Sequence, residues 1–198
     1  MAKLYYQGHG SYRLTSNSGL VIYVDPYAGR GYDQAADIIL VTHQHSDHNQ
    51  IDKCPQKDDC QIISNFEALK NNIHQSFKVK GIHIQAVEAS NRHHDPTQCV
   101  GYIIEIDGLK IYASGDTSLT KQMQEFPQYQ LDYALLPLDG IYNMNLEEGA
   151  HVASLIKAKH NIPIHLKPGE LFDQKRAQEW KGINKLIIHP NEEINLSN

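Results

Sequence analysis

Within six positions, His43, His45, Asp47 and His48 crowd the stretch "THQHSDH", which follows the apolar run "DIILV". Imidazole and carboxylate groups are good ligands for zinc, iron and manganese. His43 and His45 are two apart. In an extended segment leaving a strand, such residues point the same way, so both rings can reach one ion. Asp47 and His48 are adjacent and face a second direction. One short loop is therefore equipped to serve two ions. The count of 12 histidines in 198 residues adds weight to a bound partner.

These side chains need elements to hold them. Short β-type runs fill the first forty residues: "KLYYQ", "SYRLTS", "LVIYVD" and "DIILVT", separated by glycine, asparagine and proline. A helix is expected over Asn65–Ile73, with Asn65 as its cap and Leu69 and Ile73 four apart. Strands "FKVKG", "IHIQAVEA", "VGYIIEI" and "LKIYAS" follow, the last two joined by the hairpin signal Asp107-Gly108. Later, a buried-type strand "DYALLPL" precedes a helix in "NLEEGAHVASLIKAKH", where Asn145 and Glu148 have capping-box spacing. A strand "IPIHL", a short helix around "DQKRAQEW" and a last strand "KLIIH" complete the chain.

Length fits a single domain over 1–198. Hydrophobic content of 40% and charged content of 21% suit a globular protein. The net charge of −5, without a basic run, argues against a long nucleic-acid partner. No apolar stretch approaches a membrane span, and the N-terminus lacks a signal-peptide pattern, so a cytoplasmic location is expected. Cys54, Cys60 and Cys99 read as reduced thiols, because "CPQKDDC" lacks zinc-ribbon spacing. Oligomeric state stays open, and a homo-oligomer is compatible with the sequence.

"THQHSDH" resembles the HxHxDH signature of the metallo-β-lactamase superfamily. The order "HHDPTQCVGY", "ASGDTS", "ALLPLDG" and "IPIHL" is similar to that of small bacterial and archaeal metal-dependent hydrolases related to L-ascorbate-6-phosphate lactonase. The resemblance covers nearly the whole chain. It implies an α/β, four-layer αββα sandwich with the site at one end of the sheet pair. It implies a first ion on His43, His45 and His94, a second on Asp47, His48 and His165, and Asp116 bridging them. His94, seven residues before Gly101, fits the family spacing better than His93. The implied activity is hydrolysis of a small, anionic ester, lactone or phosphoester by hydroxide formed between two divalent ions. Zinc is the first choice of ion, with manganese or iron as alternatives. Asp47 is a candidate proton acceptor. A small-molecule substrate would meet Tyr142 and Lys167, with Arg92 nearby.

Read without the resemblance, several residues keep two meanings. Asp116 follows a strand end but could cap a helix in "SLTKQMQ". His165 could be an ordinary strand histidine. Asp25 is either an acceptor for a ligand imidazole or a turn aspartate. His9 in "GHGS" has a possible pocket role, and Lys167 and Arg92 are otherwise solvated charges. A metal-holding sensor or scaffold and a small-substrate phosphodiesterase are the competing functions. The motif runs into "NQID" rather than the glycine pair common in the family, and the chain is too short for the added domain of the RNA-cleaving branch.

Overall fold

Alternation of apolar residues builds the centre of this computed structural model, which describes residues 1–197. One sheet runs in the order β14-β1-β2-β3-β4-β5, made of β1 Lys3–Gly8, β2 Ser11–Thr15, β3 Val21–Val24, β4 Ala36–Leu40, β5 Gln56–Ile63 and β14 Glu192–Asn195. The other runs β13-β12-β11-β10-β9-β8, made of β8 Ser76–Val79, β9 Ile82–Glu88, β10 Val100–Ile106, β11 Leu109–Ala113, β12 Tyr133–Pro137 and β13 His160–Ile164. Leu4, Tyr6, Tyr12, Leu14, Ile22, Ile38 and Leu40 face Ile84, Tyr102, Ile104, Ile111, Leu135 and Ile162 in one buried cluster between the sheets. Residues of opposite parity point outward. Ile103, Tyr112, Ala134 and Leu136 of the second sheet pack on helix α2 (Leu146–Ile156) through Val152, Ala153 and Ile156. Period-two alternation thus assigns each strand an inner and an outer face.

The outer layers are unequal. The second sheet carries α2, a 3-10 helix (Gln122–Tyr129) and α3 (Gln174–Glu179). Over the first sheet, Val21, Tyr23, Ile39, Val41 and Cys54 are covered mainly by Tyr32 and Ile51, from a loop and a 3-10 turn (Ile51–Lys53). The αββα layering therefore has one helical outer layer and one made of loop. No helix among the described residues is long and apolar enough to cross a membrane. The three cysteines form no disulfide.

Strand direction positions the site. β3, β4 and β5 are parallel, and so are β11, β12 and β13. The carboxyl ends of β3, β4, β11, β12 and β13 deliver Asp25, His43, Asp116, Asp139 and His165. Sites in sheets of parallel strands collect at those ends.

Four local expectations are corrected. The helix at Asn65 stops at Ala68 (α1, Asn65–Ala68). Ser64, not Asn65, is its cap, in a capping box with Glu67. Asn71 and Asn72 then adopt positive φ of 52° and 61°, and the chain forms a tiny hairpin of β6 (Leu69–Lys70) and β7 (Ile73–His74). Two consecutive left-handed asparagines make the tight hairpin turn, which outweighs the helical spacing. The segment "KLIIH" forms only an isolated bridge from Lys185 to Asn161. The terminal strand is instead β14, pairing with β1. At α2, Asn145 accepts the Glu148 amide as expected, but the Glu148 carboxylate turns to the Leu119 amide, leaving the box open.

Candidate metal centre

The loop after β4 is fixed by one buried carboxylate. Asp25, in left-handed conformation (φ 45°), accepts from the Thr42 amide at 2.8 Å and the Thr42 hydroxyl at 2.7 Å. Its Oδ2 also lies 2.9 Å from His48 Nδ1. Because the Thr42 hydroxyl gives its proton to Asp25, its oxygen accepts from His43 Nδ1, 3.0 Å away. His94 Nδ1 sits 2.8 Å from Asn91 Oδ1. His165 Nδ1 lies 3.1 Å from Asp139 Oδ2, a close contact rather than an aligned hydrogen bond. In each of these four rings an acceptor lies at Nδ1 and Nε2 faces inward. Ligating histidines are oriented this way. His45 differs: it is exposed, and its Nδ1 faces His94 Nε2 at 3.2 Å.

Two glycines let the backbone close in. A Cβ on Gly10 would stand 2.9 Å from His48 Cε1. Gly115 has φ +61°, and a Cβ there would meet the Thr42 Cβ at 2.7 Å. That turn aims Asp116 into the cluster. Asp116 Oδ1 lies 3.3 Å from His48 Nε2, while Oδ2 lies 3.4 Å from His94 Nε2 and 3.5 Å from His165 Nε2. It therefore stands between the two groups of imidazoles.

The arrangement fits metal ions. His43 Nε2, His48 Nε2, His165 Nε2 and Asp116 Oδ1 are buried without a hydrogen-bond partner. Folded proteins seldom leave such atoms unpaired. Ligand atoms about 2.0–2.1 Å from a shared ion stand about 3.0–3.4 Å apart in octahedral or tetrahedral coordination. The gaps around Asp116 are close to that spacing. Three ligand-type groups can be drawn: His43, His45 and His94; His9, Asp47, His48 and His165; and His43, His48 and Asp116. All seven residues proposed from the sequence come together here. His94 is buried within the cluster, whereas His93 is exposed on the wall of the cavity above it.

Electrostatics follow from burial and crowding. Burial, helped by neighbouring His48, pushes the His43 imidazole down to about 2, so it stays neutral with its lone pair available. Burial opposes the charge on Asp116, but His48, His165, His43 and His94 outweigh it and hold the carboxyl at about 2. At His165 burial is likewise overcome, by Asp116, Asp139 and Asp47, raising it to about 10. Burial pushes Asp47 up, yet His165 and His9 keep it well below the usual carboxylate range. Of these, His165 carries a proton that a bound cation would displace, while His43, Asp116 and Asp47 already offer bare ligand atoms.

Behind the ligands stand several supports; the sequence raised a pocket role for His9 and missed Asn91 and Asp139. His9 is buried, has φ 56°, and places Nε2 3.3 Å from Asp47 Oδ2 and Nδ1 3.0 Å from the Glu170 carbonyl. Its carbonyl accepts the His165 amide at 2.9 Å, and the two rings lie 3.8 Å apart. Asp139 holds His165 on one side and accepts the amides of Ile141 and Tyr142 on the other, at 2.6 and 2.7 Å. Its only signal was a carboxylate ending the buried strand "ALLPLD". Asn91 had none. Asp25 is the acceptor of a ligand-type ring rather than a plain turn aspartate, and Asp116 caps no helix.

A cavity of about 360 Å³ opens over the cluster, lined by His45, Asp47, His93, His94, Asp116, Tyr142, His165 and Pro168. Tyr142 forms its lip, edge-on to His93 at 5.4 Å. Lys167 does not line it; its ammonium pairs with Glu170. Arg92 also stays outside, donating Nε to His93 and Nη2 to the Ile141 carbonyl.

Residues 3–165 match the family described as the beta-lactamase superfamily domain. The chain belongs to the metallo-β-lactamase superfamily. A metal-dependent hydrolase of Thermus thermophilus is 29% identical over 226 aligned residues, covering 99% of this chain and all of that protein. Another from Pyrococcus furiosus is 27% identical, with the same coverage. Among solved structures, the metallo hydrolase Igni18 of the archaeon Ignicoccus hospitalis superposes with a TM-score of 0.76 at 23% identity, covering 98% of this chain and 97% of that one.

Proposed function

We propose that this metal-dependent hydrolase of the metallo-β-lactamase superfamily works as one domain with two divalent ions on a small ester, lactone or phosphoester. The observation that supports two ions is Asp116, whose carboxylate lies between His94 on one side and His48 and His165 on the other. His43, His45 and His94 would hold the first ion, and Asp47, His48 and His165 the second. Histidine-rich sites suit zinc, with manganese and iron as alternatives. Bound ions of this kind lower the pKa of coordinated water from 15.7 to about 7 and polarise a substrate oxygen.

The chain's own groups do the rest. Asp47, half-buried on the cavity wall, is the carboxylate placed to take a proton at Oδ2. His9 stands behind it and keeps that oxygen turned inward. Asp139 links His165, at the floor of the cavity, to the loop carrying Tyr142 at its lip. Tyr142 and His93 contact the substrate rather than the reacting water. Lys167 lies outside the cavity lining and pairs with Glu170.

The test combines elemental analysis of purified protein with an ester, lactone, thioester and phosphodiester panel. Two ions per chain are expected, with turnover lost on chelation and restored by zinc or manganese. Asp116→Ala should lower metal content; full occupancy of both sites in that variant would remove the bridging role. Absence of turnover by metal-replete protein would favour a sensor or scaffold instead.

A further inference from the structure

The cleft has a second lobe. Beyond the 360 Å³ cavity, a space of about 560 Å³ extends past His45, His93 and His94 toward Asn65, Phe66, Asp95 and Gln98. The three histidines border both lobes, so a substrate reaching across them would set its scissile bond over the ion sites. Its two halves would lie in different lobes.

The linings say what those halves are. Among the described residues, no lysine or arginine lines either lobe. The two nearest in sequence to the ligands, Arg92 and Lys167, are engaged with the Ile141 carbonyl and with Glu170. A negatively charged tail thus finds no counterion away from the centre. In the larger lobe it meets a carboxylate, Asp95, fixed by the amide and hydroxyl of Thr97 at 2.8 and 2.7 Å. Gln44 donates to Asn65 Oδ1 and Asn65 to the Gln98 main-chain carbonyl, and the Gln98 carboxamide is neutral, so none of them gives an anion a counterion. What remains on offer is the Phe66 ring, 67% exposed at the start of α1, and across the centre the Tyr142 ring, 46% exposed. An aromatic side chain left open on a cleft wall recognises apolar area.

We propose that the substrate is an uncharged carboxylic ester or lactone whose apolar group lies in the larger lobe against Phe66. The inference rests on the hydrolase reading above and narrows it, against the anionic substrate expected from sequence. Hydrolysis breaks the acyl C–O bond, places the water hydroxyl on the acyl carbon and returns a proton to the leaving oxygen. The new acid then ionises, releasing a proton to solvent. A neutral substrate therefore leaves as an anion, and away from the ion sites the lining offers it a carboxylate and no lysine or arginine.

A matched pair of chromogenic esters tests this on the metal-loaded protein: 4-nitrophenyl butyrate and 4-nitrophenyl hemisuccinate, which differ by a terminal carboxylate. Each rate is normalised to its own spontaneous hydrolysis. The butyrate should have a kcat/KM higher by about tenfold or more, as expected for like charges a few ångströms apart. Asp95→Asn should shrink that ratio by about threefold through the hemisuccinate, with the metal content of the variant measured alongside. Phe66→Ala should raise KM for the butyrate with metal content unchanged. Equal or better use of the hemisuccinate overturns the proposal, as does Arg92→Gln selectively impairing it. Turnover of bis(4-nitrophenyl) phosphate alone overturns the proposal and leaves the hydrolase reading intact. Failure of all three esters with both ions bound overturns both.

Discussion

Replacing Asp25 with asparagine should disable the second ion site without touching any proposed ligand. The native carboxylate accepts three hydrogen bonds, from the Thr42 amide, the Thr42 hydroxyl and His48 Nδ1. Asparagine tolerates the left-handed backbone that Asp25 adopts (φ 45°), so the fold should survive. Its amide, however, brings two donors. Set one way, the NH2 faces the Thr42 amide; set the other, it faces His48 Nδ1. Either way one donor meets another in a buried site, at a cost of about 1.5–3 kcal/mol for a lost bond to a charged group. In the second setting His48 relieves the clash by moving its proton to Nε2, the nitrogen that must be bare to ligate. Loss of such an outer partner typically costs 10–100-fold in metal affinity. Titration against a competing chelator should then show one tight equivalent of zinc, against the two proposed for the native protein. Urea unfolding of the metal-free proteins measures the stability loss separately. Two equivalents of unchanged affinity in Asp25→Asn would refute the argument that this carboxylate sets the His48 tautomer.

Other outcomes follow from the same contacts. His9→Asn keeps a residue suited to positive φ but loses the bonds to Asp47 and Glu170; second-site affinity, read by the same titration, should fall by about tenfold. Gly115→Ala puts a methyl against Thr42 in a left-handed conformation; it should destabilise by at least about 2 kcal/mol in urea and lower bound metal by displacing Asp116. Asp37 is buried beneath Lys57 and Lys80 at 2.7 and 2.8 Å, and although burial opposes it, those bonds hold its carboxyl below the usual range. A depressed folded-state pKa means its stabilisation is present above the ordinary value of about 3.8–3.9 and fades as pH falls through the folded value. Asp37→Asn should therefore cost about 1–3 kcal/mol at pH 7 and flatten the acid limb of stability, measured by urea unfolding at pH 7 and pH 3.

The ligand loop was legible because its members are neighbours in sequence and its spacing alone orients them. His94, Asp116 and His165 were legible through the order of motifs, since each lies in a different loop and no local pattern marks it. Asn91 and Asp139 were not, because their roles arise only when separate strand ends meet; His9 was legible as a pocket candidate, but not its partners. Inner strands such as β10 and β12 announced themselves by apolar runs. β5, "QKDDCQII", and β14, "EEIN", did not, because edge strands are kept polar to resist pairing with other chains. The failed helix at Asn65 is a contest between helical spacing and two asparagines suited to a turn, and the turn won.

The strand ends divide the ligand set between the two sheets: His43, His45, Asp47 and His48 follow β4 of the first, while His94, Asp116 and His165 belong to loops of the second. Neither sheet can hold a full coordination sphere alone. Ions at this end would act as rivets across the sandwich. At the other end of β4, Lys80 from the β8–β9 turn already clasps Asp37. The site end is already stitched across the sheets by the His165 amide on the His9 carbonyl and the Val100 amide on the Thr42 carbonyl, so bound ions would tighten a seam that the backbone has begun.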